Sequence, residues 1–221
     1  MGPFENNLEY YQKKMVEEQL LGRDIKDKLV LDVFRKVPRH KFVDPGMHKD
    51  AYSDFPLSIG DGQTISQPYM VALMVQLLDL KESDLVLELG TGSGFETAIL
   101  AELAKSVFSV ERIEKLGIKA KGVLKGLGYK NISIKIDDGT LGWEEFAPFD
   151  KIVVTASSPN VPSPLLDQLS EGGKLVIPVG SRLTQRLMLI EKLKGGRFTE
   201  KDVSSCVFVP LIGVHGWKLE R

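Results

Sequence analysis

LELGTGSGFETAIL, residues 87–100, carries an apolar run into a helical pattern through three glycines, Gly90, Gly92 and Gly94. Glycines in such a turn let the backbone bend sharply and pass close to a ligand without a Cβ in the way. The helix that follows opens with unpaired N–H groups. A strand, a glycine turn and a helix in this order point to an open α/β sheet that binds a ligand at the carboxyl ends of its strands.

The pattern continues on the C-terminal side. LVLEL (85–89), VFSV (107–110), ISIKI (132–136), KIVVTA (151–156) and KLVIPV (174–179) read as strands. Residues 96–104, 113–127 and SPLLDQL (163–169) read as helices between them. Strand–helix alternation at this spacing predicts a parallel sheet covered on both faces. RLMLIEKL (186–193) and SCVFVPLI (205–212) flank Lys194-Gly195-Gly196-Arg197 and predict an antiparallel hairpin at the sheet edge. Pro210 suits an edge strand.

Upstream, residues 5–80 carry helical periodicity: Leu8 to Leu21, Leu29 to Val37, and Met70 to Leu80. Pro38 and Asp44-Pro45-Gly46 punctuate it. GDGQTISQPYM (60–70) reads as polar loop running into a helix near Pro68, with Ser66 as its possible N-cap. A single domain over 1–221 is expected, with 1–80 as an N-terminal extension and 81–221 as the α/β core.

The ligand can be narrowed. A dinucleotide fingerprint reads GxGxxG, and here Phe95 fills the sixth position. Glu88 stands two residues before the first glycine. A carboxylate inside the pocket would repel phosphates and suit a cation. Both features favour S-adenosyl-L-methionine over NAD. Glu111 ends the second strand, where an acidic side chain can accept the ribose hydroxyls. Asp138-Gly139 follows the third strand, where a carboxylate can reach an adenine amino group. Each of these alone is often only a turn or a surface residue. Their order along the chain favours a cofactor site.

Bulk composition excludes other classes. The 221 residues hold 29 basic and 30 acidic side chains, a net charge of −1. No basic excess calls for nucleic acid or an anionic membrane. Cys206 is the only cysteine, so no internal disulfide forms, and three scattered histidines suggest no metal site. No apolar run approaches the ~20 residues that span a bilayer. The N-terminus lacks the basic and apolar segments of a signal peptide. The expectation is a soluble cytoplasmic protein.

GQTIS (62–66), ELGTGSGF (88–95), SVERI (109–113), DDG followed by GW (137–143), APFDKIVVTA (147–156), GGKLVIPVG (172–180) and FVPLIG (208–213) together resemble the protein-L-isoaspartate O-methyltransferase family. GTGSG is shared by many methyltransferases; GQTIS ahead of it and VPLIG near the end are far more specific. The resemblance implies a class I methyltransferase: α/β, with a doubly wound, mostly parallel seven-stranded sheet, Rossmann-like, ending in an antiparallel hairpin. It implies methyl esterification of L-isoaspartyl α-carboxylates in damaged proteins and peptides. The ester collapses to a succinimide that hydrolyses partly to aspartate. S-adenosyl-L-methionine would be consumed to S-adenosyl-L-homocysteine, in the cytosol and with no metal. Beside the resemblance, a monomer with no nucleic-acid or membrane partner is expected.

Residue by residue, the resemblance makes Ser66 the catalytic position and sets Thr64-Ile65-Ser66 over the cofactor. Glu88, Gly90, Thr91, Gly92, Ser93, Gly94, Glu111, Arg112, Asp138 and Gly139 would bind it. Thr155, Ala156 and Ser157, with Val209, Pro210 and Leu211, would contact the acceptor. Asp61 and Glu96 depart from the family pattern; glutamine is common where Glu96 stands, so these two bear on cofactor affinity. Two rival activities fail on local sequence. Base amino-methylation uses a polar residue before Pro-Pro-aromatic, and Ser157-Ser158-Pro159-Asn160 lacks it. Cytosine C5 methylation needs Pro-Cys, and Cys206 follows Ser205. A non-catalytic cofactor-binding scaffold would not need Ser66, Glu88 and the full glycine set together.

Overall fold

The structure, a computed structural model, describes residues 5–219. The first four and last two positions of the expected domain lie outside the described residues. Five apolar runs become parallel strands: β3 (Leu85–Leu89), β4 (Ser106–Glu111), β5 (Ile132–Ile136), β6 (Phe149–Val154) and β7 (Leu169–Gly180). Two more, β8 (Gln185–Lys192) and β9 (Phe198–Cys206), add antiparallel to β7. The seven lie in the order β5-β4-β3-β6-β7-β8-β9. From β3 the chain first builds outward through β4 and β5, then returns to the other side with β6. That reversal leaves a crevice beyond the end of β3, where open α/β sheets take ligands.

Strand alternation splits the apolar side chains between two cores. Val86, Val107, Val153 and Val176 face the larger one. It is filled from α2 (Lys28–Lys36), α3 (Pro68–Leu78), α4 (Phe95–Leu103) and α5 (Glu114–Gly126). Leu87, Leu89, Ile152 and Ile177 face the other core, with Leu165 of the short helix α6 (Ser163–Asp167). Local signals start the helices. The Asp27 carboxylate accepts Leu29 N and Val30 N at the start of α2, and Pro68 opens α3, where no donor is needed. The periodicity of 8–21 becomes α1 (Glu5–Lys14) continuing into a π-helical segment, Met15–Leu21, that buries Met15, Val16 and Leu20.

Two expectations need correction. The edge hairpin exists, but its second strand is β9 at 198–206 and not 205–212. Most of β9 is exposed and polar, so it lacks the apolar alternation that marks a half-buried strand. The apolar run 207–212 leaves the sheet edge and crosses the strand ends. There Ser157 N donates to Val209 O, and Leu211 N donates to Ser157 O. Residues 60–64 are not plain loop. β1 (Leu57–Gly60) and β2 (Gln63–Ile65) form a separate antiparallel ribbon. Its turn is Asp61-Gly62, both at positive φ (51° and 70°), as a two-residue primed turn requires.

Candidate active site

The glycine turn is clamped between the two strands that flank β3. Gly90 N donates to Val110 O of β4. Thr155, just past β6, donates from its hydroxyl to Leu89 O and Gly90 O, at 3.1 and 2.8 Å. Gly90, Gly92 and Gly94 all hold positive φ (100°, 52° and 86°). A Cβ on Gly90 would lie 2.3 Å from Thr155 Oγ1, so the turn closes this tightly only around hydrogen. The Glu111 carboxylate ties the far side, accepting Gly92 N and Ile113 N at 2.8 Å each.

Beneath the turn lie two buried acids. Glu88 is fully buried, and one carboxyl oxygen accepts Thr97 and Ser109 hydroxyls at 2.6 Å. Burial outweighs those bonds and pushes Glu88 up to about 8. Glu96, in the first turn of α4, is only 7% exposed. Burial first, then the charge of Glu88, holds it well above the ordinary carboxylate range.

The ribbon β1–β2 brings the TIS triplet over this turn. Ser66 is partly exposed, and among the described residues its hydroxyl has no hydrogen-bond partner. It does not cap α3: Gln67 holds that position, without a side-chain bond. The Ser66 carbonyl accepts Arg39 Nη2 at 2.7 Å, while Arg39 Nε donates to Ala51 O. Arg39 is fully buried, and its guanidinium stacks 4.8 Å from the centre of the Phe95 ring. Burial lowers it to about 9, still a cation at neutral pH. Arg39 thus links the ribbon, through Ser66, to Phe95 at the start of α4.

Three hollows meet here. A narrow crevice over the strand ends is lined by Gly90, Gly92, Glu111, Arg112, Gly139 and Leu211, among others. A small cleft runs under the TIS triplet, along Thr91, Ser93 and Glu96. A groove of about 940 Å³ leads away past Ser66, Tyr69, Arg186 and Val207. Thr64 and Thr155 line all three. Among the described residues, the titratable side chains lining the groove are Arg23, Tyr69, Arg186 and Cys206, with no acid or histidine.

Comparison with known proteins settles the family. Residues 10–216 match the family described as Protein-L-isoaspartate(D-aspartate) O-methyltransferase (PCMT). The chain belongs to that family. It is 52% identical over 215 residues to the protein-L-isoaspartate O-methyltransferase of Geobacter metallireducens, covering 97% of this chain and 100% of that one. It is 54% identical over 214 residues to protein-L-isoaspartate O-methyltransferase 2 of Geotalea uraniireducens, covering 97% and 99%. Among solved structures, it superposes with TM-score 0.80 and 30% identity on one from Plasmodium falciparum, covering 91% and 98%. That structure is described as a protein-L-isoaspartate O-methyltransferase in complex with S-adenosyl-L-homocysteine. A second protein-L-isoaspartate O-methyltransferase superposes with TM-score 0.83 at 29% identity, covering 93% and 67%.

Most residues singled out in the sequence of this methyltransferase line the three hollows. Thr64, Ile65 and Ser66, the turn from Gly90 to Ser93, Glu111, Arg112, Gly139, Thr155, Ala156 and Val209 to Leu211 all do. Four do not. Glu88 points into the core, because it shares a sheet face with its register partner Ser109 and with Val86. The Asp138 carboxylate accepts Thr140 N, Thr140 Oγ1 and Val214 N, which fastens the segment near residue 214 and leaves only Gly139 at the crevice. Gly94 packs toward Ala120 and Leu124, and Ser157 is fully buried behind 209–211. Residues the sequence reading passed over are Gln63 and Ile212 in the crevice, Arg23, Tyr69 and Arg186 in the groove, and Arg39 behind it. Gln63 and Ile212 adjoin motifs already in hand. Nothing in a single sequence marks Arg39 as buried.

Gly90→Ala should cost more than about 1 kcal/mol of stability and abolish binding of S-adenosyl-L-homocysteine measured by calorimetry. Adding Thr155→Ala removes the clashing atom and should restore part of the stability. Unchanged binding by Gly90→Ala would contradict the tight turn. Glu88 gives a pH signature. Its folded form keeps a proton up to about pH 8, whereas the unfolded carboxyl releases it near 4.5. Stability from this group is therefore complete below pH 4.5 and declines toward pH 8, by about 1.4 kcal/mol per unit for one proton. Urea titrations of Glu88→Gln should show a flatter fall across that window than wild type; parallel curves would refute the assignment.

Proposed function

We propose that the groove receives a peptide and the crevice the methyl donor, so that the two reactants meet at Thr64 and Thr155. The protein is an S-adenosyl-L-methionine-dependent protein-L-isoaspartate O-methyltransferase that esterifies the α-carboxylate of isoaspartyl residues and so initiates their return to aspartate. The observation that carries the site assignment is the sharing of Thr64 and Thr155 by crevice, cleft and groove.

The residues present fit the cofactor. Gly90 leaves a cradle that a Cβ would fill, and Glu96 Oε1 is a buried oxygen without a partner. Gly90 to Ser93 would hold the amino-acid end. Glu111 would take the ribose, with two bonds to backbone N–H groups fixing its carboxylate beforehand. Gly139 and Leu211 would border the adenine. When bound, S-adenosyl-L-methionine supplies a methyl group on positively charged sulfur.

What the chain does is place and desolvate the acceptor. An α-carboxylate ionises near ~3.5, so it is already a nucleophile at pH 7 and needs no base. Among the described residues the groove lining holds no acid or histidine, and Arg23 and Arg186 place N–H donors at its wall that an anion can reach. Arg23 pairs with Asp54 and lies 3.3 Å from the Tyr69 ring centre, while Arg186 pairs with Asp202, so both are held in place. The Ser66 hydroxyl orients the carboxylate by a hydrogen bond and forms no covalent intermediate. Arg39 fixes Ser66 through its carbonyl. Opposite charges cancel as the methyl transfers, so excluding water at the Thr64–Thr155 junction favours the reaction. A volume of about 940 Å³ accommodates a short peptide segment. No described helix is long and apolar enough to cross a membrane. A monomer acting in the cytoplasm on damaged proteins, without nucleic acid, is the reading adopted.

Paired peptides that differ only in isoaspartyl or aspartyl linkage test the activity. With methyl-labelled cofactor, base treatment should release labelled methanol from the isoaspartyl peptide alone. Equal release from both would defeat the reading. Ser66→Ala should lower kcat by up to about 10³-fold, with affinity for S-adenosyl-L-homocysteine unchanged. A methyl or acyl adduct on Ser66 would overturn its orienting role.

A further inference from the structure

Glu96 is a buried acid without the usual compensation. It belongs to α4, is 7% exposed, and its Oε1 is out of solvent with no hydrogen-bond partner. A polar atom left so loses its water without gaining a partner, which is costly. Yet Glu96 lines the cleft beneath Thr64 and Ser66, beside Gly90 and Ser93, where the methyl donor's amino-acid end would lie. A partner arriving with the ligand would remove that cost.

We propose that Glu96 acts in this crevice as a neutral acid whose O–H donates a hydrogen bond to the carboxylate of the cofactor's amino-acid end. The proposal rests on the assignment of the crevice to S-adenosyl-L-methionine. Burial keeps the proton on. Glu88 of β3 holds its own proton to about pH 8, and only above that does it add a like charge that opposes ionisation of Glu96. Glu111 of β4 in turn raises Glu88. Arg39 approaches from the opposite side, but it stacks on Phe95 and donates to the carbonyls of Ala51 and Ser66. The cofactor's ammonium is the other candidate partner, and it would require Glu96 to ionise. The N-terminus of α4 favours an anion at this spot, so a carboxylate flanked by helix N–H groups and a neutral carboxyl is the better match. Glutamine, expected to be common here by family resemblance, offers the same donor without a titrating proton.

Calorimetric titration with S-adenosyl-L-homocysteine from pH 6 to 9 tests this on wild type, Glu96→Gln and Glu88→Gln. Wild-type affinity should hold at low pH and then fall by about tenfold per unit once Glu96 ionises. Glu96→Gln should bind nearly as well at pH 6 and lose that fall, while Glu88→Gln should keep it. Titration of the ligand's own amino group is common to all three and cancels in the comparison. Wild-type affinity that rises with pH, or a fall retained in Glu96→Gln, would overturn the role of Glu96 alone, as would flat affinity with no ligand-shifted protonated-carboxyl band in the infrared. No wild-type binding at any pH would overturn the crevice assignment as well. Infrared spectra of the wild type give a second readout if a variant fails to fold. A protonated-carboxyl band shifted by S-adenosyl-L-homocysteine at neutral pH is expected, and an unshifted spectrum would contradict the proposal.

Discussion

The site depends on how closely the glycine turn after β3 approaches Thr155. The Thr155 hydroxyl reaches two successive carbonyls of that turn, Leu89 O and Gly90 O. Glu111 holds the opposite side through Gly92 N. The turn is therefore held from both neighbouring strands, a fixing that lowers the ordering cost of any ligand seated there. The same threonine also borders the groove, so the clamp that shapes the crevice also forms part of the groove wall.

The second constraint joins the N-terminal helices to this turn. Arg39 is buried with no carboxylate within ion-pair distance among the described residues, and burial lowers its affinity for a proton. Its charge is spread over two carbonyls and the Phe95 face. Phe95 in turn meets Phe34 and Phe42 edge-on. A residue that looks too bulky for a dinucleotide turn is thus a packing element. It packs α4 against Phe34 and Phe42 of the N-terminal extension, and the Arg39 guanidinium on its face donates to Ser66 O. Buried cations are costly unless their hydrogen bonds are satisfied, and Arg39 Nη1 is left without a partner. That cost accompanies the placement of Ser66.

The parallel strands and the glycine turn were legible because apolar runs and glycines report directly on buried strands and positive φ. ISIKI coincides with β5, and GTGSG lies between β3 and α4 as expected. Polar elements were harder. β9 is an exposed edge strand with no apolar stripe, and β1–β2 turns on Asp61-Gly62, a hairpin signal hidden within a segment that otherwise reads as loop. The acids were misplaced for a different reason. Whether Glu88 faces ligand or core follows from its register with Ser109, and Asp138, besides its local bonds to Thr140, is drawn away by Val214 N, 76 residues further on. Such pairings are tertiary and leave no local trace. The family resemblance located Ser66; it could not reveal that Arg39 holds it.

One structure would test the account most directly: a crystal of the enzyme with S-adenosyl-L-homocysteine and an isoaspartyl peptide bound together. The ligand sulfur should lie beside Thr64 and Thr155, with the isoaspartyl α-carboxylate within hydrogen-bond reach of Ser66 Oγ and the peptide leading along the groove past Val207. A peptide seated away from that groove, or a sulfur remote from Thr155, would contradict it.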